Sequence, residues 1–498
     1  MHNLADRFNF LFRSTKGLVL SAIAAIALAT AFFGMLSGPM EPLGVRAWMV
    51  EHLGLSLLPQ QREGRIIILY HSLAMAVVAI ETYLITALYR FRREEQARIN
   101  ATITAGYLAS LIFGLLFAYF GHNYVFHGVF IAGQTLIFFA GLMLLAALWP
   151  WRKEMRIPPG EYARTRGGVD VERLAVFLMA AATLGSVLFG AVPGSLFGNG
   201  FESFLAENIV REPFKTPLEL AVIGHLHIML TLIAVALTLI LSRWFDFKGR
   251  LQKVAMPLMI VGTLIITAGV WAVVPFERIA HIIINVGSMP VLAASVLLTW
   301  FGWQKITRQR LEEQGLTRPT FGQKLAALLH DPVKFGALWQ MMYMNAVVTA
   351  VGIFMAIKLD SIIRRWPALE ERIALTGHWH VLAGIIATII LLYYADIAGL
   401  RGRARQVFGW AVILFSDLAF GAVATLETRR LYVSELSQQP LTDTVILLTD
   451  VGLGMTLVAL AALMVWRLID LFKQKGRWKQ ELEHPQLSDS PAAEEVQS

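Results

Sequence analysis

Long apolar stretches separated by short polar segments dominate the pattern of hydrophobic positions along this chain. Each stretch has about the 20 residues that an α-helix needs to cross the hydrocarbon core of a bilayer. The pattern therefore predicts an all-α fold, an integral membrane bundle of twelve transmembrane helices in which every backbone polar group is satisfied within its helix. The predicted spans, numbered in chain order, cover residues about 17–37, 66–89, 99–121, 126–149, 173–195, 217–242, 254–275, 279–303, 335–358, 376–395, 404–426 and 444–468.

The composition agrees with this interpretation. Hydrophobic residues make up 56% of the 498 residues and charged residues 16%, and the mean hydropathy is +0.59. Soluble proteins carry about 25% charged residues, so a soluble globular fold is excluded. The net charge of +8 is spread over the loops between apolar stretches. We therefore expect contact with a lipid membrane and no nucleic-acid partner.

Basic residues concentrate in alternate loops, those after spans two, four, six, eight and ten. The positive-inside rule then places these loops and both termini in the cytoplasm, as in a multi-pass protein of a bacterial-type cytoplasmic (inner) membrane. The loop between spans nine and ten fits least well, because it carries Arg364, Arg365 and Arg372. The residues after Lys475 are polar and turn acidic. We expect a membrane domain over residues 1–475 and a disordered cytoplasmic tail over residues 476–498.

Histidines recur near the starts of spans two, six and ten. His71, His225 and His378 are separated by 154 and 153 residues, and the pattern Gly-His-x-His occurs at residues 224–227 and again at 377–380. Similar spacing between similar helix starts indicates an internal repeat. The sequence therefore predicts three pseudo-symmetric groups of four helices, which cover residues about 17–149, 173–303 and 335–468.

The paired histidines of span ten suggest a cofactor. His378 and His380 lie about 200° apart around a helix, so they point to opposite sides. An imidazole in a membrane needs a polar partner, and two imidazoles from separate helices can ligate both faces of a heme iron. Heme propionates are anions that Arg429 and Arg430 could bind at the outer rim. The chain has no cysteine, which excludes disulfides, cysteine-ligated iron–sulfur clusters and covalently attached c-type heme.

On these residues the chain resembles subunit I of the heme-copper oxidase superfamily, over nearly all of its length up to about residue 470. The resemblance implies twelve helices in three groups of four. It implies that His71 and His380 are the axial ligands of a low-spin heme and that His378 is the proximal ligand of a second heme. We expect two hemes, with the b type assumed for both, a cytochrome c or quinol as the electron donor, and other membrane subunits as partners.

The resemblance extends to two further elements. It implies that Arg429 and Arg430 contact heme propionates, and that one copper ligand falls on His225 or His227 of span six.

The family's copper site is changed in this chain. An adjacent His-His pair follows Trp-Ala in many members of the family, whereas Val273-Val274 follows Trp271-Ala272 here. Copper needs converging imidazole or sulfur ligands, and valine offers none. A conventional copper site is therefore not expected.

Three functions remain open for an oxidoreductase-type protein of this kind. In the first, which we favour, His225 or His227 is the distal ligand of the second heme, and the protein carries electrons within a respiratory complex. In the second, His225, His227 and His281 hold a rearranged metal in a terminal O2 or NO reductase. The third is a transporter-like bundle without heme. The acids within spans, which are candidates for proton uptake, are Glu81, Asp417 and Asp450.

Overall fold

The computed structural model of the protein describes residues 2–37, 43–57, 62–121, 123–195, 216–359 and 361–483. Within these residues the regular structure is helical, apart from isolated β-bridges of Arg156 with Val169 and Arg164 with Asp170. Among these described residues, twelve helices are long and apolar enough to cross a membrane. This confirms the all-α bundle with twelve spans, and the chain is a multi-pass membrane protein.

The helices follow the predicted spans in order. Those that carry the spans are Thr15–Ser37, Arg62–Leu88, Arg93–Phe120, Tyr124–Leu148, Val171–Ser195, Pro217–Trp244, Gly249–Trp271, Val273–Glu313, the three-part ninth helix (Pro332–Tyr343, Met344–Val348 and Thr349–Lys358), Ala368–Ile397, Gly402–Thr428 and Glu435–Phe472. Shorter helices are His2–Arg13, Val45–Leu53, Phe321–Leu329 and Arg477–Glu483, with single turns at Lys153–Met155, Ile363–Arg365 and Arg429–Leu431.

Span eight extends well beyond its predicted apolar stretch. It covers Val273–Glu313 rather than 279–303, because polar residues at its end continue the helix with pairs such as Arg308 to Glu312 at 2.7 Å. The helix begins directly after Ala272, and its backbone leaves helical geometry at Phe276, with φ −145° and ψ 57°. The expected corner between spans seven and eight is therefore a short kink, and His281 lies within a helix.

Span nine contains one wide turn. The backbone N–H of Thr349 donates to the carbonyl oxygen of Met344, five residues earlier, and residues Met344–Val348 form a π-helical segment. Such segments insert one extra residue into an α-helix and occur most often at functional sites. This turn lies beside His378 of span ten.

The chain divides into two compact units, Met1–Trp149 with Leu460–Ser498, and Pro150–Ala459. The predicted division into three groups of four helices remains a prediction. In the first unit, spans two and three approach closely where small residues meet. A Cβ atom added to Gly114 would lie 2.2 Å from the Ser72 hydroxyl oxygen, and that hydroxyl donates to the Ser110 carbonyl oxygen at 3.2 Å. Small residues are what permit such contacts between membrane helices.

Part of the expected disordered tail is helical. Residues Arg477–Glu483 form a short helix in which Trp478 is fully buried. Arg467, also buried, lies 2.6 Å from the Glu481 carboxylate, so the helix is fixed by one aromatic ring and one ion pair. Residues 484–498 lie outside the described part of the chain.

Arg405 joins several helices at one end of the second unit. Its guanidinium donates to both carboxylate oxygens of Asp331, at 2.8 and 2.7 Å, and lies 2.6 Å from Asp396. Asp396 also accepts a hydrogen bond from the Trp244 indole at 2.7 Å. Burial raises the pKa of Asp331, but Arg405 outweighs this effect and holds that pKa below its ordinary value. Spans six, nine, ten and eleven are thus held together by one charged group.

Candidate functional site

The two histidines of span ten lie in different surroundings. His378 is half-buried and faces span nine, where a Cβ atom added to Gly352 would lie 2.9 Å from its Cε1 atom. His380 is exposed, and its Nδ1 atom lies 2.6 Å from the Thr376 carbonyl oxygen. The side chains therefore leave the helix in different directions, as the spacing of two residues predicts.

Three of the candidate ligands bond a backbone carbonyl oxygen through Nδ1. The distances are 2.9 Å from His71 to Ile67, 3.0 Å from His225 to Ser186, and 2.6 Å for His380. A carbonyl oxygen only accepts hydrogen bonds, so Nδ1 carries the proton and Nε2 carries the lone pair. Histidines that bind metals have this arrangement, because the Nδ1–H bond fixes the ring. The donor chemistry of these three side chains fits ligation through Nε2.

The two histidines of span six point into different parts of the second unit. His225 lies against span five, where a Cβ atom added to Gly190 would be 2.2 Å from its Nδ1 atom. His227 lies close enough to His281 of span eight and His378 of span ten for their charges to interact. His227 is therefore a histidine of span six whose charge can interact with that of His378, whereas the contacts described for His225 are with span five.

The histidines around His227 do not form a recognised metal-binding group. Across the residues that the structure describes, no set of three or more His, Cys, Asp or Glu side chains could hold a metal ion. Val273 is buried with Leu220 and Ala280, and Val274 packs against this cluster. The valine pair, at the position where the resemblance would place copper ligands, therefore contributes hydrophobic packing.

Arg429 and Arg430 share an anionic partner within the protein itself. The Nη2 atom of Arg429 lies 2.8 and 2.6 Å from the two oxygens of Glu370, and Nη1 donates to the Leu426 carbonyl oxygen at 2.7 Å. Arg430 approaches the same carboxylate at 3.5 Å. One carboxylate thus faces two guanidinium groups, so one positive charge is left over. The Nε atoms of both arginines are buried and have no hydrogen-bond partner among the described residues.

Glu427 is a buried acid beside His378 to which the sequence analysis gave no role. Its side chain is 4% exposed, and its Oε1 atom has no hydrogen-bond partner in the described ranges. A Cβ atom added to Gly377 would lie 2.6 Å from that oxygen. Glu427 and His378 line a cavity of about 10 Å³ together with Val347 and Val348 of the π-helical segment. Such a volume holds about one water molecule. The position of Glu427 two residues before Arg429 was the one signal of it in the sequence.

The three acids within spans have different surroundings. Asp417 accepts hydrogen bonds from the Trp339 indole and the Gln340 amide, both at 2.7 Å, so its carboxylate is satisfied locally. Glu81 lies in the first unit and is 4% exposed, and its Oε1 atom is without a hydrogen-bond partner in the described part of the chain. Asp450 is half-buried on span twelve.

Two other histidines, His330 and His127, have contacts typical of structural roles. The Nδ1 atom of His330 lies 2.7 Å from the Ala327 carbonyl oxygen at the end of a short helix, as expected for a loop residue. His127 stacks on Phe117 with ring centroids 5.0 Å apart. His122 lies outside the described residues.

Comparisons with protein families and curated proteins found no relative of this chain. The chain matches no protein-family model and no curated protein. The resemblance to heme-copper oxidases therefore rests on the histidines, the arginine pair and their spacing.

Proposed function

We propose that this protein is a membrane heme protein that carries electrons through two hemes as a subunit of a respiratory complex. The observation that carries the proposal is the shared tautomer of His71 and His380. Each imidazole donates Nδ1–H to the carbonyl oxygen four residues earlier on its own helix, so each has Nε2 as its donor atom. These are the two side chains that the resemblance assigns to one low-spin heme.

Each candidate residue has a distinct role in this proposal. His71 and His380 would hold the iron of the low-spin heme. His378 and a histidine of span six would hold the second heme, and His227 is the one proposed because it interacts electrostatically with His378. A heme with two imidazole ligands supplies reversible one-electron transfer.

The arginine pair supports a site for propionates at the rim. Arg429 and Arg430 carry one positive charge more than Glu370 neutralises, and the buried Nε–H group of Arg429 lacks an acceptor among the described residues. A buried donor without an acceptor costs about 1–3 kcal/mol, and a carboxylate can satisfy it. Arg429 and Arg430 would therefore hold a propionate together with, or in exchange for, Glu370.

The second site fits a porphyrin less well in this packing. The imidazole edge of His378 lies against Gly352, and the cavity beside it holds about 10 Å³. Binding of a heme at His378 therefore requires span nine to lie further from span ten. The π-helical segment Met344–Val348 borders this contact, and such segments are points at which helices bend.

The proposal includes a place for the protein in the cell. The basic loops would face the cytoplasm, with both termini, in a bacterial-type inner membrane, and the histidine-bearing ends of spans two, six and ten would face outward. A quinol or a cytochrome c would supply electrons, and other membrane subunits would complete the complex.

An optical spectrum of the purified full-length protein tests the proposal. Oxidised, reduced and CO-treated samples should show the bands of six-coordinate heme, with iron but no copper by metal analysis and two hemes per chain. Replacement of His71 or His380 by Ala should remove one heme, whereas His330→Ala should remove none. A protein purified without any heme band would overturn the proposal and favour a transporter-like bundle.

A terminal O2 or NO reductase is a second candidate, and the proximity of His227 to both His281 and His378 favours it. In that case His227 and His281 would hold a second metal, and one face of the heme at His378 would stay open. Binding of CO to the reduced protein, together with a metal in addition to heme iron, would support the reductase. If CO does not bind to the reduced protein, the result favours the electron-carrier function.

A further inference from the structure

A groove lies at the basic-loop end of the second unit, away from the histidines. Its volume is about 340 Å³, and Tyr162, Arg164, Lys253 and Pro257 line it together with Gly160 and Val171. The loop after Pro150 folds onto the start of span seven to form it. The Ala163 N–H donates to the Gln252 side chain at 2.6 Å, and the Lys253 ammonium donates to the Gly160 carbonyl oxygen at 3.1 Å. The groove is therefore a fixed part of the unit.

The carboxylates of the surrounding segments are engaged elsewhere. Glu161 pairs with Lys248 at 3.0 Å, and Asp246 lies 3.2 Å from Lys305. Arg243 is paired with two further acids, Asp170 at 2.9 Å and Glu172 at 3.2 Å.

The two cations that line the groove are left without an anion. Arg164 and Lys253 are exposed, and neither has a carboxylate partner among the described residues. Tyr162, the titratable neighbour between them, donates its hydroxyl to Asp246. Burial, and then this hydrogen bond, raise the pKa of Tyr162 to about 12, so the side chain stays neutral. The groove therefore has two uncompensated positive charges and no negative one.

An apolar stripe runs from this groove along span seven. Lys253, Pro257, Val261 and Leu264 are spaced at three and four residues, so they share one face of the helix. Pro257 is exposed, Val261 is 48% exposed and Leu264 is 44% exposed. This face changes from basic at the start of the helix to apolar within the span. A phospholipid has the same order, with a charged headgroup followed by apolar acyl chains.

We propose that this groove binds an anionic phospholipid, with its phosphate between Arg164 and Lys253 and an acyl chain along Pro257, Val261 and Leu264. Guanidinium and ammonium groups at a membrane surface attract anionic headgroups, each contributing about 1 kcal/mol. A free phosphate would use the two cations but not the apolar stripe, so the continuous stripe favours a lipid. This site does not depend on heme.

Native mass spectrometry of the full-length protein in detergent can test the proposal. The delipidated protein is titrated with phosphatidylglycerol, phosphatidylcholine, glycerol phosphate or inorganic phosphate. Phosphatidylglycerol should bind with a 1:1 component that phosphatidylcholine lacks. In the double variant Arg164→Gln/Lys253→Gln this affinity should fall about thirtyfold, from the loss of two charge contacts.

A matched control is the double variant Arg166→Gln/Arg250→Gln, which removes two exposed basic residues of the same segments that do not line the groove. It should bind phosphatidylglycerol as the unaltered protein does. Equal loss in both double variants, or equal binding of the two lipids, would overturn the proposal. Glycerol phosphate or inorganic phosphate that binds as tightly as the lipid would show a site for free phosphate instead.

Discussion

Arg429 and Glu370 form a buried ion pair in which the Nη2 atom of the arginine lies 2.8 and 2.6 Å from the two carboxylate oxygens. The arginine side chain is 6% exposed and that of Glu370 17%. The pair supplies an anion at the position where the sequence analysis expected only a heme propionate. Glu370 therefore competes with, or complements, any carboxylate that a cofactor brings to this rim.

Replacement of Glu370 by Gln should destabilise the protein strongly when it lacks heme. It leaves the buried Arg429 charge unpaired, and breaking such a pair costs about 3 kcal/mol. We expect a lower Tm in detergent for the heme-free variant and a smaller decrease after heme loading, because a propionate can replace the lost charge.

Glu277→Gln is the control for that change. Glu277 pairs with Arg364 at 2.9 Å, but the side chains are 28% and 18% exposed, so its loss should cost about 1 kcal/mol or less. An equal decrease of Tm in the two variants would contradict the importance of the Glu370 pair.

The two histidines of span six should respond differently to substitution. His227→Phe should change the spectrum of the second heme and allow CO to bind, because it removes an imidazole that interacts with His378. His225→Phe should leave the spectrum unchanged and lower Tm, because it removes a hydrogen bond to the Ser186 carbonyl oxygen. The CO difference spectrum of each variant is the measurement. A spectrum altered only by His225→Phe would reverse the assignment.

Glycines that touch imidazoles should not tolerate a methyl group. In Gly190→Ala the new Cβ would lie 2.2 Å from the His225 Nδ1 atom, and the required shift should cost about 1–3 kcal/mol. Gly352→Ala should cost less, since its Cβ would lie 2.9 Å from His378. Apart from the backbone of its own helix, no heavy atom of the described residues would lie within 4 Å of a Cβ added to Gly421. Gly421→Ala should therefore be neutral or stabilising. Thermal unfolding ranks the three variants, and a different order would contradict these contacts.

Low pH should weaken the ion pair between Arg405 and Asp331 at the basic-loop end of the second unit. Arg405 holds the pKa of Asp331 below its ordinary value of 3.8, so the stabilisation is fully present above that value and is lost as the pH falls through the lower folded-state pKa. Asp331→Asn should therefore lower Tm at pH 7, and the difference from the unaltered protein should shrink below about pH 4. A difference that is constant between pH 3 and pH 7 would exclude this linkage.

The sequence was sufficient for the spans because the length of an apolar stretch and the thickness of a bilayer are directly related. It placed the histidine pairs on opposite sides of their helices for a similar reason, since the helical repeat fixes the angle between residues i and i+2. It could not identify which histidine of span six meets His378. The spacing left both His225 and His227 open, and in the packed helices His227 interacts electrostatically with His378.

Other features depend on contacts between distant residues. The partner of Arg429 lies 59 positions earlier, and no local pattern identifies Glu370 among the acids of the chain. The helix after Lys475 forms because Trp478 is buried and Arg467 pairs with Glu481, although its local composition is that of a polar tail. The wide turn of span nine leaves no sequence signature, whereas Pro275, directly before the kinked Phe276, is the kind of residue at which helices bend.

The wide turn of span nine also decides which side chain faces His378. A single extra residue would rotate the rest of an α-helix by about 100°, and the wide turn absorbs that rotation. If Met344–Val348 wound as an ordinary α-helix and the start of the helix stayed in place, Val351 would take the position of Gly352. A branched side chain would then press on the imidazole. The wide turn therefore keeps the smallest residue opposite a candidate ligand, and the deletion of one residue within it should leave that glycine in place.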